Sequence, residues 1–267
     1  MNPAVPSFSG SVPDQYERHF GPLMFEPYAL DLVARIQPQA IESALEVACG
    51  TGRVTRHLRR VLPTHARLVA TDLNPGMMAV GQRVLAGEVI DWQVADAQAL
   101  PFPDACFDLV VCQFGLMFVP DKAQACREAF RVLRPGGRFL FNTWDQVEHN
   151  PAAQLSNDLI ATYFPAPPPF FSIPFSMHDE GMLRGLLQDA GFKNSTVSSV
   201  KKEGHSESAL SAAIGFVEGN PIAMTLRERD PALVPKIREA VQYALAERFG
   251  DEPLISPLQA WVCEGQK

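Results

Sequence analysis

Glu46-Val47-Ala48-Cys49-Gly50-Thr51-Gly52 is a short stretch in which an acid and three small or apolar residues lead into two closely spaced glycines, followed directly by a helical stretch starting near Arg53. Glycines at such a point let the backbone turn tightly and approach a ligand, and the helix that follows presents free amides at its start. Outward from this turn, β-type runs at 44–47, 67–71, 90–94, 107–113 and 138–143 alternate with helical ones. Val54, Leu58, Val61 and Leu62 form one apolar stripe at helical spacing, and Ala123, Cys126, Phe130 and Leu133 form a second that Arg134-Pro135-Gly136-Gly137 brings to an end. Alternation of this kind predicts crossover units and an α/β fold, a three-layer Rossmann-like arrangement around a mostly parallel sheet.

In an open parallel sheet ligands bind at the carboxyl ends of the strands, where the strand order reverses. Asp72 ends the second run, where an acidic side chain can accept both hydroxyl hydrogens of a ribose. Glycine turn and acid together fit nucleosides in general. Two details separate the classes. The dinucleotide fingerprint G-x-G-x-x-G needs glycine at position 55, which is Thr55 here. Glu46, ahead of the glycines, suits a ligand with an amino group and a sulfonium better than one with a pyrophosphate. Both favour S-adenosylmethionine.

The companions of the turn point the same way. Thr71-Asp72-Leu73-Asn74-Pro75-Gly76-Met77-Met78, Ala95-Asp96-Ala97-Gln98-Ala99-Leu100-Pro101-Phe102, Phe107-Asp108-Leu109-Val110-Val111 and Leu133-Arg134-Pro135-Gly136-Gly137 follow in order. Over about residues 40–145 the chain thereby resembles the class I S-adenosylmethionine-dependent methyltransferases, in the ubiquinone/menaquinone-type small-molecule branch. The resemblance implies one antiparallel strand near the C-terminus and helical cap segments. It implies that Glu46 and the backbone of Ala48, Cys49, Gly50, Thr51 and Gly52 hold the methionine moiety and that Asp72 binds the ribose. Leu73 and Met77 would sandwich the adenine, Asp96 and Ala97 would meet its edge, and Gln113 would lie beside the methionine portion. Tyr16, an aromatic of the N-terminal arm, would close over the cofactor. One position departs from the family pattern, which has glycine where this chain has Ala48.

The remaining sequence bounds the acceptor. A net charge of −7 disfavours nucleic acid as the main partner, because phosphate binding needs a concentrated positive surface. A small molecule is the expected partner, with a homodimer left open. No run approaches the roughly 20 apolar residues of a membrane span, and the start lacks the pattern of a secretion signal, so the expected location is cytoplasmic. Cys49, Cys106, Cys112, Cys126 and Cys263 show no C-x-x-C spacing and read as reduced core thiols, and the histidines show no metal-ligand spacing, so no metal is expected.

Residues 1–40 read as an N-terminal arm or cap with short helices around 15–20 and 27–36, and 41–145 as the cofactor core. Residues 146–178, rich in proline and phenylalanine, read as a lid. Residues 179–267 return to the sheet around a helical insertion at about 207–250. Phe114, Met117, Phe118, Trp144, Phe170 and Phe171 are the expected substrate wall, whose character implies an apolar or aromatic acceptor. Methyl transfer from a sulfonium is an in-line displacement that needs a base only if the acceptor must lose a proton. His149 and His178 are the candidates for that base. The alternative reading is a protein that binds the same cofactor structurally, for a cyclisation, a rearrangement or regulation.

Overall fold

Among the described residues seven strands carry the fold: β1 (Ser43–Val47), β2 (Arg67–Asp72), β3 (Asp91–Val94), β4 (Phe107–Gln113), β5 (Leu133–Trp144), β6 (Lys193–Ser206) and β7 (Leu254–Gln266). In the computed structural model, which describes residues 8–166 and 168–267, they form a single sheet in the order β3-β2-β1-β4-β5-β7-β6. The pairs β1/β2, β2/β3, β1/β4 and β4/β5 are parallel, and β7 runs antiparallel to β5. Every residue of β1 is buried, as expected of a central parallel strand covered on both faces. The strand order reverses between β1 and β4, which makes their carboxyl ends the crevice of the sheet.

The helices are α1 (Val12–Gln15), α2 (Glu26–Ala34), α3 (Arg53–Val61), α4 (Pro75–Val84), α5 (Lys122–Val132), α6 (Pro151–Ala161), α7 (Glu180–Ala190), α8 (Ala209–Glu218), α9 (Ile222–Arg229) and α10 (Leu233–Phe249). The chain divides into two compact units. The sheet unit comprises Tyr28–Asp145, Pro174–Val200 and Ala260–Lys267. In it Ala29, Leu32 and Val33 of α2 and Val54 and Leu58 of α3 pack with Ala44, Leu68, Leu109 and Leu140 of the sheet in one buried cluster. Burying each valine or leucine of this cluster contributes about 1.5–3 kcal/mol, so it anchors the strands whose carboxyl ends carry the site. Asp108 at the start of β4 accepts from the Glu42 and Ser43 amides, each at 2.9 Å, and from Arg134, locking β1 to β4 in register.

The helical unit comprises Met1–Pro27, described from residue 8, with Gln146–Ile173 and Lys201–Gln259. Phe20 packs edge-on against Phe216, and the amide and Cα of Phe20 lie so close to Gly215 that a Cβ there would stand 3.0 Å from the Phe20 Cα. Asn150 pairs with the Gln259 backbone through both its amide atoms, at 3.0 Å each.

Three expectations need correction. The arm is not two separate short helices: α1, a π-helical segment (Tyr16–Phe25) and α2 follow one another without a break. Pro22 lies inside the π-helical segment, where the wider i→i+5 pattern, seen in the Glu26 amide bonding to the Gly21 carbonyl, relieves the clash a proline makes with an α-helix. Val61 is exposed, and Leu62, just past the end of α3, fills the buried end of that stripe. Finally, α5 ends at Val132, before Arg134-Pro135, because Leu133 already adopts extended geometry and pairs with Phe107.

Candidate functional site

The turn after β1 is built from left-handed backbone. Ala48 has φ 55°, Gly50 φ 55° and Gly52 φ 79°. Its irregular residue therefore occupies a conformation that favours glycine, at a typical cost of about 1–2 kcal/mol for a side-chain-bearing residue. The Cys49 amide bonds to the Thr71 carbonyl and the Gly52 amide to the Cys49 carbonyl, both at 2.9 Å. The Asp72 carboxylate joins the two loops: Oδ2 accepts from the Gly50 amide and Oδ1 from the Asn74 amide, each at 2.7 Å. Burial pushes the Asp72 pKa up, against the backbone amides of Asn74, Gly50 and Leu73. Asn74 also caps α4, its side chain accepting from the Gly76 and Met77 amides.

Glu46 is buried and accepts a hydrogen bond from the Thr55 hydroxyl. Desolvation pushes its pKa up to about 8; the Thr55 bond and Arg56 work against this and Asp72 adds to it. The position where a dinucleotide fingerprint would have glycine thus holds the hydroxyl that orients Glu46, a role the sequence reading did not assign. Met77 is buried, with its Cε 3.6 Å from where a Gly50 Cβ would stand, while Leu73 is 53% exposed.

The loop after β3 is tied to the same end of the sheet by the Ala95 amide, which bonds to the Asp72 carbonyl at 3.1 Å. It carries Asp96 and Ala97, both half-buried. Gln113 is half-buried at the end of β4 and pairs with Asn142 in register.

Phe114, the next residue, is buried with φ 49°, a left-handed conformation that is an outlier for a bulky side chain. Its amide donates to Asn142 Oδ1 at 3.0 Å and also reaches the Asn142 carbonyl at 3.2 Å. Its ring stacks on Trp144 with centroids 3.9 Å apart, and Tyr28 stands edge-on to both rings, its hydroxyl donating to the Val200 carbonyl. Asn142 is fully buried and was not singled out from sequence, since a polar residue inside an apolar strand run gives no sign of what it holds. Asn142→Ala is expected to lower the stability of the chain in urea by about 1–3 kcal/mol, the cost of leaving a buried amide poorly paired.

The structure brings Glu46, the 48–52 turn, Asp72, Met77, Asp96 and Gln113 to one end of the parallel strands, with Phe114 and Met117 following directly. Met117 is buried, and Phe118 is half-buried in the short helical turn Leu116–Phe118. The other candidates lie elsewhere in the chain. Tyr16 is in the helical unit, stacked on Phe25 at 5.0 Å with Phe8 and Phe20 edge-on. Phe170 and Phe171 are half-buried in the same unit, where His149 is exposed beside the Gln259 amide. His178, in the sheet unit, is exposed with Nδ1 2.7 Å from the Phe175 carbonyl. Among the described residues no group of His, Cys, Asp and Glu could hold a metal ion, and no single helix is long and apolar enough to cross a membrane.

Comparison with known proteins adds to this geometry. The family model described as "Methyltransferase domain" matches residues 45–141. The chain is 46% identical over 102 residues to a ubiquinone/menaquinone biosynthesis C-methyltransferase of Hahella chejuensis, covering 37% of this chain and 41% of that protein. It is 33% identical over 177 residues to the protein of the same name from Yersinia pestis, covering 60% of this chain and 69% of the relative. The chain thus spans about two fifths of the first of these relatives and just over two thirds of the second. Among solved structures, a Bacillus halodurans C-125 protein assigned as a methyltransferase superposes with a TM-score of 0.59 at 16% identity, over 90% of this chain and 98% of that one. Phosphoethanolamine N-methyltransferase 2 of Haemonchus contortus, in complex with S-adenosyl-L-methionine, gives 0.59 at 13% identity over 96% of this chain and 56% of its own. At such identities the structural likeness concerns the fold.

Proposed function

Because this chain belongs to the class I S-adenosylmethionine-dependent methyltransferase family of the ubiquinone/menaquinone type, we propose that it transfers a methyl group to a ring carbon of a small, apolar, quinol-like acceptor. The observation that carries the reading is the pair of acids at the switch point: Glu46, buried and held by the Thr55 hydroxyl, and Asp72, which accepts from the Gly50 amide of the glycine turn. A donor set of this kind fits S-adenosylmethionine. Glu46 would face the amino group, Asp72 the ribose hydroxyls, Met77 and Leu73 the adenine faces and Asp96 with Ala97 its edge. When bound, the cofactor supplies a methyl group already activated by its sulfonium.

Position and dryness are then what the chain must contribute. Phe114, Met117 and Trp144 are buried apolar groups directly after β4 and at the end of β5, suited to hold a flat ring and exclude water. Activation of an aromatic carbon is easiest when a ring hydroxyl loses its proton, and His178, in the same unit as these groups, is the candidate base. The relatives are named as C-methyltransferases, which favours carbon over oxygen or nitrogen as the acceptor atom.

The test is incubation of the full chain with methyl-labelled S-adenosylmethionine and a chemically reduced, short-chain demethylated naphthoquinone, alongside phenols and amines. Label on a ring carbon with equimolar S-adenosylhomocysteine is the expected result. Stable cofactor binding without labelled product from any acceptor would instead favour a structural use of the cofactor.

A further inference from the structure

The loop that carries Asp96 is held on α5 by two sets of bonds, and both bear on how that loop reads a base. At its start, Gln98 turns back on Asp96. Asp96 Oδ1 accepts from the Gln98 amide at 2.9 Å and from Gln98 Nε2 at 3.1 Å, and Oδ2 accepts from Nε2 at 3.2 Å. The far side of Gln98 is fixed as well. Its Oε1 accepts from the Asp121 amide at 3.0 Å and its carbonyl from Gln124 Nε2 at 3.3 Å, both at the capped N-terminus of α5. That contact sets which way the Gln98 amide points, so Nε2 is the atom that meets the carboxylate.

Further along, Arg131 engages every donor of its guanidinium. Nε and Nη2 donate to the two oxygens of Glu128, at 2.7 Å each, Nη2 also to the Leu100 carbonyl at 2.9 Å, and Nη1 to the Phe102 carbonyl and Asp104, at 2.8 Å each. Glu128 completes the set by accepting from the Leu100 amide at 2.8 Å. One helix side chain thus fixes three residues of the loop, and only a planar fork can do this; a lysine offers a point charge instead.

We propose that Gln98 and the Arg131–Glu128 pair are positioning residues for base recognition, holding Asp96 so that a single acceptor site on Oδ2 is left for the exocyclic amine of adenine. A carboxylate oxygen has about two acceptor sites, so both of those on Oδ1 are taken and one remains on Oδ2. A carboxylate held in one orientation with one site open discriminates an amine from a carbonyl at the same ring position. One that swings freely does so poorly. The inference rests on the reading of Asp96 as the adenine-edge residue of an S-adenosylmethionine site.

The experiment is titration calorimetry of the full chain with S-adenosylhomocysteine and with S-inosylhomocysteine, in which a carbonyl replaces the amine. Wild type, Gln98→Met and Arg131→Lys are compared, with thermal unfolding confirming that each is folded. Both variants are expected to bind S-adenosylhomocysteine roughly tenfold more weakly, as loss of a charged hydrogen bond does, and to lose most of the preference for it over the inosine analogue. Gln98→Met, on a half-buried loop position, serves where Arg131→Lys does not fold. Wild-type affinity and preference in the variants would overturn the proposal. So would equal weakening of both ligands with the preference unchanged, which marks a purely structural role. Wild-type protein that binds neither ligand would overturn the underlying reading of the site, an outcome distinct from wild-type protein that binds both and variants that match it.

Discussion

Gly115→Ala is expected to destabilise the chain by about 3 kcal/mol and to abolish S-adenosylhomocysteine binding at micromolar protein concentrations, because the added methyl has nowhere to go. A Cβ at Gly115 would stand 2.4 Å from the Ala48 Cβ and 2.9 Å from Cys112 Sγ, far inside van der Waals contact. The first of these neighbours is the irregular residue of the glycine turn. The Ala48 methyl is accommodated by the absence of one at Gly115. Ala48→Gly alone should be close to neutral in urea unfolding, since relief of left-handed strain is offset by the greater freedom glycine gives the unfolded chain. Added to Gly115→Ala, it removes the 2.4 Å clash but leaves the contact with Cys112 Sγ. The double variant should therefore recover part of the lost stability, and with it measurable binding. Strict additivity of the two single effects would show that the residues do not share this space.

That coupling also shows where the sequence stops being legible. The parallel core was readable because each crossover unit declares itself through local pattern: apolar runs of strand length, stripes at helical spacing and glycines at the turns. The acids of the site were readable because their positions relative to β1 and β2 follow from that pattern, as with Glu46 and Asp72. Gly115, Asn142, Thr55 and Gln98 were not. Asn142 meets Phe114 only through the register of β5 on β4, Gly115 meets Ala48 only in the folded chain, Thr55 reaches Glu46 back across the glycine turn, and Gln98 is oriented by the distant Asp121 amide. The arm was misread for a related reason: Pro22 signals a break in an α-helix but says nothing of a π-helical path around it. Within the helical insertion at about 207–250 the periodicity does not mark off α9 as a separate helix, although Asn220-Pro221 precedes it, with Asn220 Oδ1 accepting from the Ile222 amide at 3.0 Å.

Affinity for S-adenosylhomocysteine should rise by about tenfold per pH unit from pH 6 toward 8 and level off there, while the stability of the free chain changes in the opposite direction. Both follow from Glu46, which burial lifts from the ordinary glutamate range to about 8. In the unfolded chain the group ionises near pH 4.5, so between that value and 8 the folded protein holds a proton that the unfolded chain has lost. Its contribution to stability is fully present below the lower value and is lost as pH rises through the upper one. The amino group of the ligand is positively charged and is served only by the ionised carboxylate, so binding below pH 8 must expel that proton, and each unit of pH toward 8 makes this easier. Asp72 is also shifted upward and titrates in the same site, so the contribution of Glu46 is read as the difference between wild type and Glu46→Gln. Calorimetry from pH 5.5 to 8.5, in buffers of different ionisation heat, should show proton release below pH 8 in wild type that largely disappears in the variant, together with a much flatter affinity profile. Equal slopes in the two proteins would mean that Glu46 does not meet the amino group, and the assignment of the methionine end of the site would fall with it.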